Sequence, residues 1–140
     1  MSSTWLFQGN PKRFPVLEHL LNGETKIDWS MTQHLQDVGD GDNAVLWVSG
    51  PRAGIYAIGV VSGPIFEDVA SDDWLDPADR GKRLHFCPLQ WNESRVDRPI
   101  LKTDLLAAGG FDQARIVRQP MAGNPTRLND EEWHVIERLR

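Results

Sequence analysis

Two apolar runs, Asn43–Ser49 and Ile55–Val61, flank the segment Gly50-Pro51-Arg52-Ala53-Gly54. The first carries Val45, Leu46, Trp47 and Val48, and the second is rich in β-branched residues, so both favour extended backbone. The glycines and proline between them supply a turn, and the unit predicts a hairpin of two central strands. Gly59 inside the second run predicts a bulge or a close backbone approach.

The rest of the chain must build around that hairpin. Thr4–Gln8 reads as a first strand ended by Gly9-Asn10-Pro11. Phe14–Leu21 reads as a short helix with Leu17, Leu20 and Leu21 on one face, stopped by Asn22-Gly23. Lys26–Trp29 is extended, and Ser30 is an N-cap candidate for a helical turn over Met31–Val38. Ile65–Val69 predicts an edge strand, residues up to Asp79 an acidic surface loop, and Arg83–Trp91 a strand with Pro88 at a bulge or edge. Thr103 is placed to cap a helix over Asp104–Ala108, closed by Gly109-Gly110. Ala114–Arg118 reads as a further strand. Asn129 caps a last helix, Asp130–Arg140, with Glu132 completing a capping box and Trp133, Ile136 and Leu139 as its apolar face. The expected fold class is α+β: a single domain over residues 1–140, built as a small β-barrel or curved, mostly antiparallel sheet with short peripheral helices.

Composition narrows the function classes. No apolar run reaches the roughly 20 residues that cross a bilayer, and no signal peptide precedes Trp5-Leu6-Phe7. One cysteine, Cys87, cannot form an internal disulfide and fits a reducing cytoplasm. The expectation is a cytoplasmic monomer with no membrane partner. The net charge of −5 argues against binding nucleic acid by backbone attraction alone. Residues 67–79 hold Glu67, Asp68, Asp72, Asp73, Asp76 and Asp79 without a base, which leaves the remainder close to neutral. Arg83, Arg98 and Lys102 are the candidate phosphate contacts, although such a charge split is more often plain solvation, because no dense Lys/Arg cluster appears. Affinity for nucleic acid must come from a specific pocket.

Signatures of catalysis are missing. There is no phosphate-binding glycine loop and no GxSxG nucleophile elbow. His85 and Cys87 are spaced as half a zinc site, but no second pair of ligands completes it, so a packed cysteine is the simpler reading. Asp40 and Asp42 lie in a Gly-Asp-Gly-Asp turn, where backbone capping is the expected use. These residues predict neither an enzyme nor a bound metal or cofactor.

What remains is aromatic. Six tryptophans stand against one tyrosine, and most must fill the core. Trp29 closes one strand, and Trp47 shares a strand face with Ser49 just before Gly50. Two aromatic planes, a hydroxyl and free backbone donors suit a base turned out of its stack. Core filling is the bland alternative for both rings. An exposed Trp74 within the acidic segment suggests a different class, a protein-interaction or regulatory subunit without a nucleic-acid ligand.

The residues Trp5-Leu-Phe-Gln-Gly-Asn10-Pro11, Ile27-Asp-Trp29-Ser30, Gly41-Asp42-Asn-Ala-Val-Leu-Trp47-Val-Ser49-Gly50 and Gly54-Ile-Tyr-Ala-Ile-Gly59 resemble the EVE domain. Pro99-Ile100, Ile116-Val-Arg-Gln119 and Leu128–Trp133 extend the resemblance over nearly the whole chain, nearest to EVE domains of modification-dependent restriction proteins. It implies a PUA-like fold related to the YTH domain. It also implies a non-catalytic reader of a modified base, methylated or hydroxymethylated cytosine or methyladenine, in DNA or RNA. A separate effector such as a nuclease would act on the reading. Carried over, Trp29 and Trp47 would form the walls of an aromatic cage, with Ser30, Ser49 and the Gly50 backbone reading the base edge. Gln8 and Asn10 would stand at the mouth. Two stretches differ from the family: Met31-Thr32-Gln33-His34 replaces an Arg-Asn-Tyr-Gln-like segment, and Gly123-Asn124-Pro125-Thr126 replaces the usual Gly-Thr.

Overall fold

The computed structural model describes residues 2–12, 15–70 and 81–140. Its strands are β1 (Thr4–Gly9), β2 (Lys26–Met31), β3 (Asn43–Val48), β4 (Gly54–Val61), β5 (Phe66–Val69), β6 (Arg83–Ser94), β7 (Ile100–Leu101) and β8 (Thr126–Leu128). Four short helices accompany them: α1 (Val16–Leu21), α2 (Lys102–Ala108), α3 (Arg115–Arg118) and α4 (Asp130–Leu139). All eight strands join one curved sheet in the order β2-β6-β4-β3-β1-β8, with β5 beside β6 and β7 beside β4. The expected α+β class and mostly antiparallel pairing hold. One pair departs from it: β1 runs parallel to β3, from Thr4 opposite Asn43 to Gly9 opposite Val48. The ladder does not close on itself, since β2 and β8 end the path unpaired with each other.

Alternation along the strands gives the sheet two apolar faces. Trp5, Phe7, Leu46, Val48, Trp29 and Trp91 point to one side, where Val16 and Leu20 of α1 join them. Leu6, Val45, Trp47, Ile55 and Ile58 point to the other, covered by Leu105, Phe111, Ile116, Val135 and Ile136 from α2, α3, α4 and the loops between them. Period-two packing on both faces explains why β3 and β4 read as continuous apolar runs.

The hairpin β3–β4 is as expected, and so is the irregularity at Gly59. A Cβ there would sit 1.9 Å from the Gln90 carbonyl oxygen of β6, so only glycine lets the two backbones meet. Pro88 stands in the middle of β6. Its carbonyl accepts from the Ser62 N–H, so its missing N–H faces the point where β6 changes partners from β5 to β4.

Several local expectations are corrected. Ser30 does not cap a helix, because the alternation of Ile27, Trp29 and Met31 continues as β2 and finds a partner as far as His85. Residues 34–38 form only a turn, with the Asp37 and Val38 N–H groups on the His34 carbonyl. Thr103 lies inside α2, and Asp104 instead accepts the Leu101 N–H at 3.0 Å. The expected strand over Ala114–Arg118 is instead the helical turn α3, Arg115–Arg118, with the Ala114 carbonyl accepting from Val117 and Arg118 and with Ala114 and Ile116 buried. At the last helix the Asn129–Glu132 capping box forms as expected. Its buried face is Glu132, Val135 and Ile136, with Trp133 half-buried. Phe14 and residues 71–79 of the acidic segment, Trp74 included, lie outside the described residues.

Candidate functional site

The sheet is open between β2 at one end of its path and the β1–β8 pair at the other, and a cavity of about 310 Å³ lies where these ends approach. β1 and its turn contribute Gln8, Gly9 and Asn10. Asp28, Trp29, Ser30, Met31 and Thr32 come from β2 and the residue after it. Leu84 of β6 and the segment Pro120–Asn124 complete the lining. The volume falls at the low end of the range for small-molecule sites.

Asn124 holds the seam together. β8 pairs with β1 only at Thr4–Leu6, so Gln8 has no strand partner on that side. The Asn124 side chain replaces one: its Oδ1 accepts the Gln8 N–H at 2.6 Å and its Nδ2 donates to the Gln8 carbonyl at 2.8 Å. Its main-chain carbonyl accepts from the Thr32 and Gln33 N–H groups at 2.8 and 3.1 Å, beyond the end of β2. The Asn124 N–H donates to Thr32 Oγ1 at 3.0 Å, and Gln33 Nε2 donates to the Pro125 carbonyl at 2.8 Å. One residue therefore ties both ends of the sheet, meeting backbone groups that an open edge would leave unpaired. The two stretches that differ from the family pattern are each other's contact.

Trp29 is positioned by absence of bulk. A Cβ on Gly9 would meet its Cη2 and Cζ2 at 3.1 Å, so glycine lets the indole lie against β1. Trp29 is buried and contributes to the cavity wall. Asp28 and Ser30 project from the opposite face of β2, Asp28 exposed and Ser30 half-buried, and both are among the residues that border the cavity. Burial, and after it the Asp68 carboxylate of β5, pushes the Asp28 carboxyl above its ordinary value.

Among the residues expected from sequence, Gln8, Asn10, Trp29 and Ser30 are brought together on this cavity. Trp47 is not. It is 3% exposed in the other apolar layer and stacks on Phe111, ring centroids 6.5 Å apart. The two tryptophans therefore do not face each other, and Met31, Leu84, Pro120 and Met121 supply the rest of the cavity's apolar lining. Ser49 acts one step back, accepting from Gln8 Nε2 at 2.8 Å, and Gly50 belongs to the β3–β4 turn. Arg83 is exposed and paired with Glu67 at 3.2 Å, next to the lining residue Leu84. Arg98 and Lys102 sit on the β7 side, on segments that contribute nothing to the cavity.

The remaining candidates resolve as structural. Asp42 caps its turn through the Gly39 N–H and also accepts from the Trp5 indole, both at 2.9 Å. His85 Nε2 pairs with Glu67 at 3.2 Å, whereas Cys87 is fully buried and its thiol is pushed up to about 12, chiefly by burial. A thiol so hard to ionise is a poor metal ligand and nucleophile. Among the described residues no group of three or more His, Cys, Asp or Glu is placed to hold a metal ion, and no helix is long and apolar enough to cross a membrane. Sequence reasoning missed Asp28, Thr32 and Asn124 as lining residues. Their signal was proximity to two departures from the family pattern.

No family model and no curated protein matches the sequence. Solved structures do match in fold. A protein from Pseudomonas syringae superimposes with a TM-score of 0.72 at 17% identity, over 98% of this chain and 99% of that one. The DUF55 domain of human thymocyte nuclear protein 1 gives 0.69 at 15%, over 98% of each chain. The human THYN1 protein in complex with 5-methylcytosine-containing DNA gives 0.68 at 16%, over 99% and 97%. The chain has the fold of these proteins, the PUA-like architecture that the EVE resemblance implies.

Proposed function

We propose that this chain, with its PUA-like fold, is a non-catalytic reader of a modified nucleobase, turned out of its stack into the cavity beside Trp29. The carrying observation is the cavity itself: one aromatic wall, flexible apolar lining from Met31, Leu84 and Met121, and polar groups from Gln8, Asn10, Asp28, Ser30 and Thr32 around it. A base offers a flat apolar face and a polar edge, and this lining complements both. Stacking on one ring is worth about 1–3 kcal/mol, so hydrogen bonds to the edge must supply selectivity. THYN1, which shares the fold, is bound to 5-methylcytosine-containing DNA, and that supports modified cytosine as the first candidate. The same reading makes the protein a cytoplasmic sensor that works with a separate effector such as a nuclease.

The test is binding of fluorescent DNA and RNA oligonucleotides, single- and double-stranded, carrying cytosine, 5-methylcytosine, 5-hydroxymethylcytosine or N6-methyladenine. One modified probe is expected to bind roughly tenfold tighter than its unmodified counterpart, a gap of about 1.4 kcal/mol. Trp29→Phe, which keeps an aromatic ring in the core, is expected to narrow that gap. Equal or absent binding across all probes overturns the proposal.

A further inference from the structure

Among the described residues Met121 is the barest of the large apolar side chains, 93% exposed; the other exposed ones, Leu21, Leu35, Val69 and Leu106, lie off the cavity, whereas Met121 borders it. A single apolar side chain in water is ordinary on a protein surface. This one is set apart by its mounting. The Ala122 N–H donates to the Gln119 carbonyl at 3.0 Å and closes a turn with Pro120 and Met121 as its two central residues. Proline at the first of them fixes one backbone angle and stiffens the turn. On one side the Gln119 N–H donates to the Arg115 carbonyl at 2.7 Å, which ties the turn to α3. On the other, Gly123 lies so close to Thr32 that a Cβ there would stand 2.9 Å from its Oγ1, and Asn124 is fastened to both ends of the sheet. The footing is fixed and the tip is bare. Trp29 and Met31 are buried walls of the cavity, but Met121 stands at its rim with nearly all its surface left for something outside the protein.

Resting on the reader proposal above, we infer that Met121 is a wedge and that the ligand is a base-paired duplex. A base that enters the cavity leaves its strand at the mouth, beside this rim. In a duplex its departure opens a gap one base thick, between neighbours that the opposite strand holds in place. Methionine is unbranched and polarisable, and it is among the apolar side chains that enter base steps in this way. The inserted thioether replaces part of the stacking lost at the vacated position, so that turning the base out costs less. A single strand offers no such gap, because its neighbouring bases can close up on each other. The turn therefore serves the opening of the duplex, while Trp29 serves the base once it is inside.

The experiment takes the oligonucleotide, DNA or RNA, that the wild-type protein binds tightest among those carrying 5-methylcytosine, 5-hydroxymethylcytosine or N6-methyladenine, and compares its single- and double-stranded forms. The wild-type protein is expected to bind the double strand at least as tightly as the single strand. Met121→Ala is expected to weaken the duplex roughly tenfold and to leave the single strand unchanged. Met121→Leu keeps the apolar bulk and is expected to retain most of the duplex affinity. Because the side chain is bare, both variants should melt with the wild-type protein. An equal loss on both forms would make Met121 part of the cavity wall, and no loss on either would leave it idle. A wild-type protein that binds single strands alone would have no gap to fill. Each of these three results overturns the wedge and leaves the reader standing. If the wild-type protein binds no modified probe in either form, both fall.

Discussion

Trp29 and Trp47 show how two tryptophans on strands consecutive in sequence come to different surroundings. Each is largely removed from solvent, but Trp29 borders an empty volume and Trp47 is stacked on Phe111 within a filled layer. Trp47→Ala therefore leaves a hole in packed core and is expected to cost about 3–5 kcal/mol of stability. Modified-base binding, measured well below the melting temperature, should be unchanged. A variant that stays as stable as the parent but no longer binds would return Trp47 to the site. Strand alternation tells which residues share a face. It does not tell which face meets the gap in the sheet, and that is why Trp47 could not be separated from Trp29 by sequence.

Elements whose partners are close in sequence were the legible ones. The β3–β4 hairpin and the Asn129–Glu132 capping box are specified within a few residues of themselves. β2 was cut short because Ser30 and Gly39 mimic helix boundaries, although the period-two pattern runs through Met31. β8 was missed because three residues carry no periodicity, and its partner β1 lies at the other end of the sequence. The same distance hid the seam: Gln8 and Asn124 are 116 positions apart. Gln8, Asn10, Trp29 and Ser30 were recognisable as a group, whereas the residue that holds them in register was not. Asn124→Ala removes two hydrogen bonds to the Gln8 backbone and is expected to cost roughly 1–3 kcal/mol. Amide exchange should quicken at Gln8 while the β3–β4 hairpin stays protected. Uniform acceleration across the sheet would mean that the seam is not a separate unit.

At the scale of the whole molecule, charge limits how nucleic acid can be held. The chain is net −5, Arg83 is engaged with Glu67, and Arg98 and Lys102 lie away from the cavity lining. These three expected contacts offer few charges to neutralise phosphates beside the cavity. The logarithm of the binding constant is therefore expected to fall with that of salt at a slope no steeper than about −2. A steeper slope would require a phosphate track that these placements do not provide. On the proposed reading, selectivity rests on the pocket, with backbone contacts serving only to orient the strand.

The parallel seat of β1 also sets an order of events during synthesis. The first of these eight strands to leave the ribosome is an interior one, flanked by β3 on one side and by β8 on the other. A nascent chain that has emerged through β3 can lay β1 alongside it, but the outer edge stays bare until residues 124–128 follow. Until then that edge can pair with a stranger. The cavity is therefore completed late: a chain cut short of residue 124 has its hairpin but lacks the wall that closes the seam.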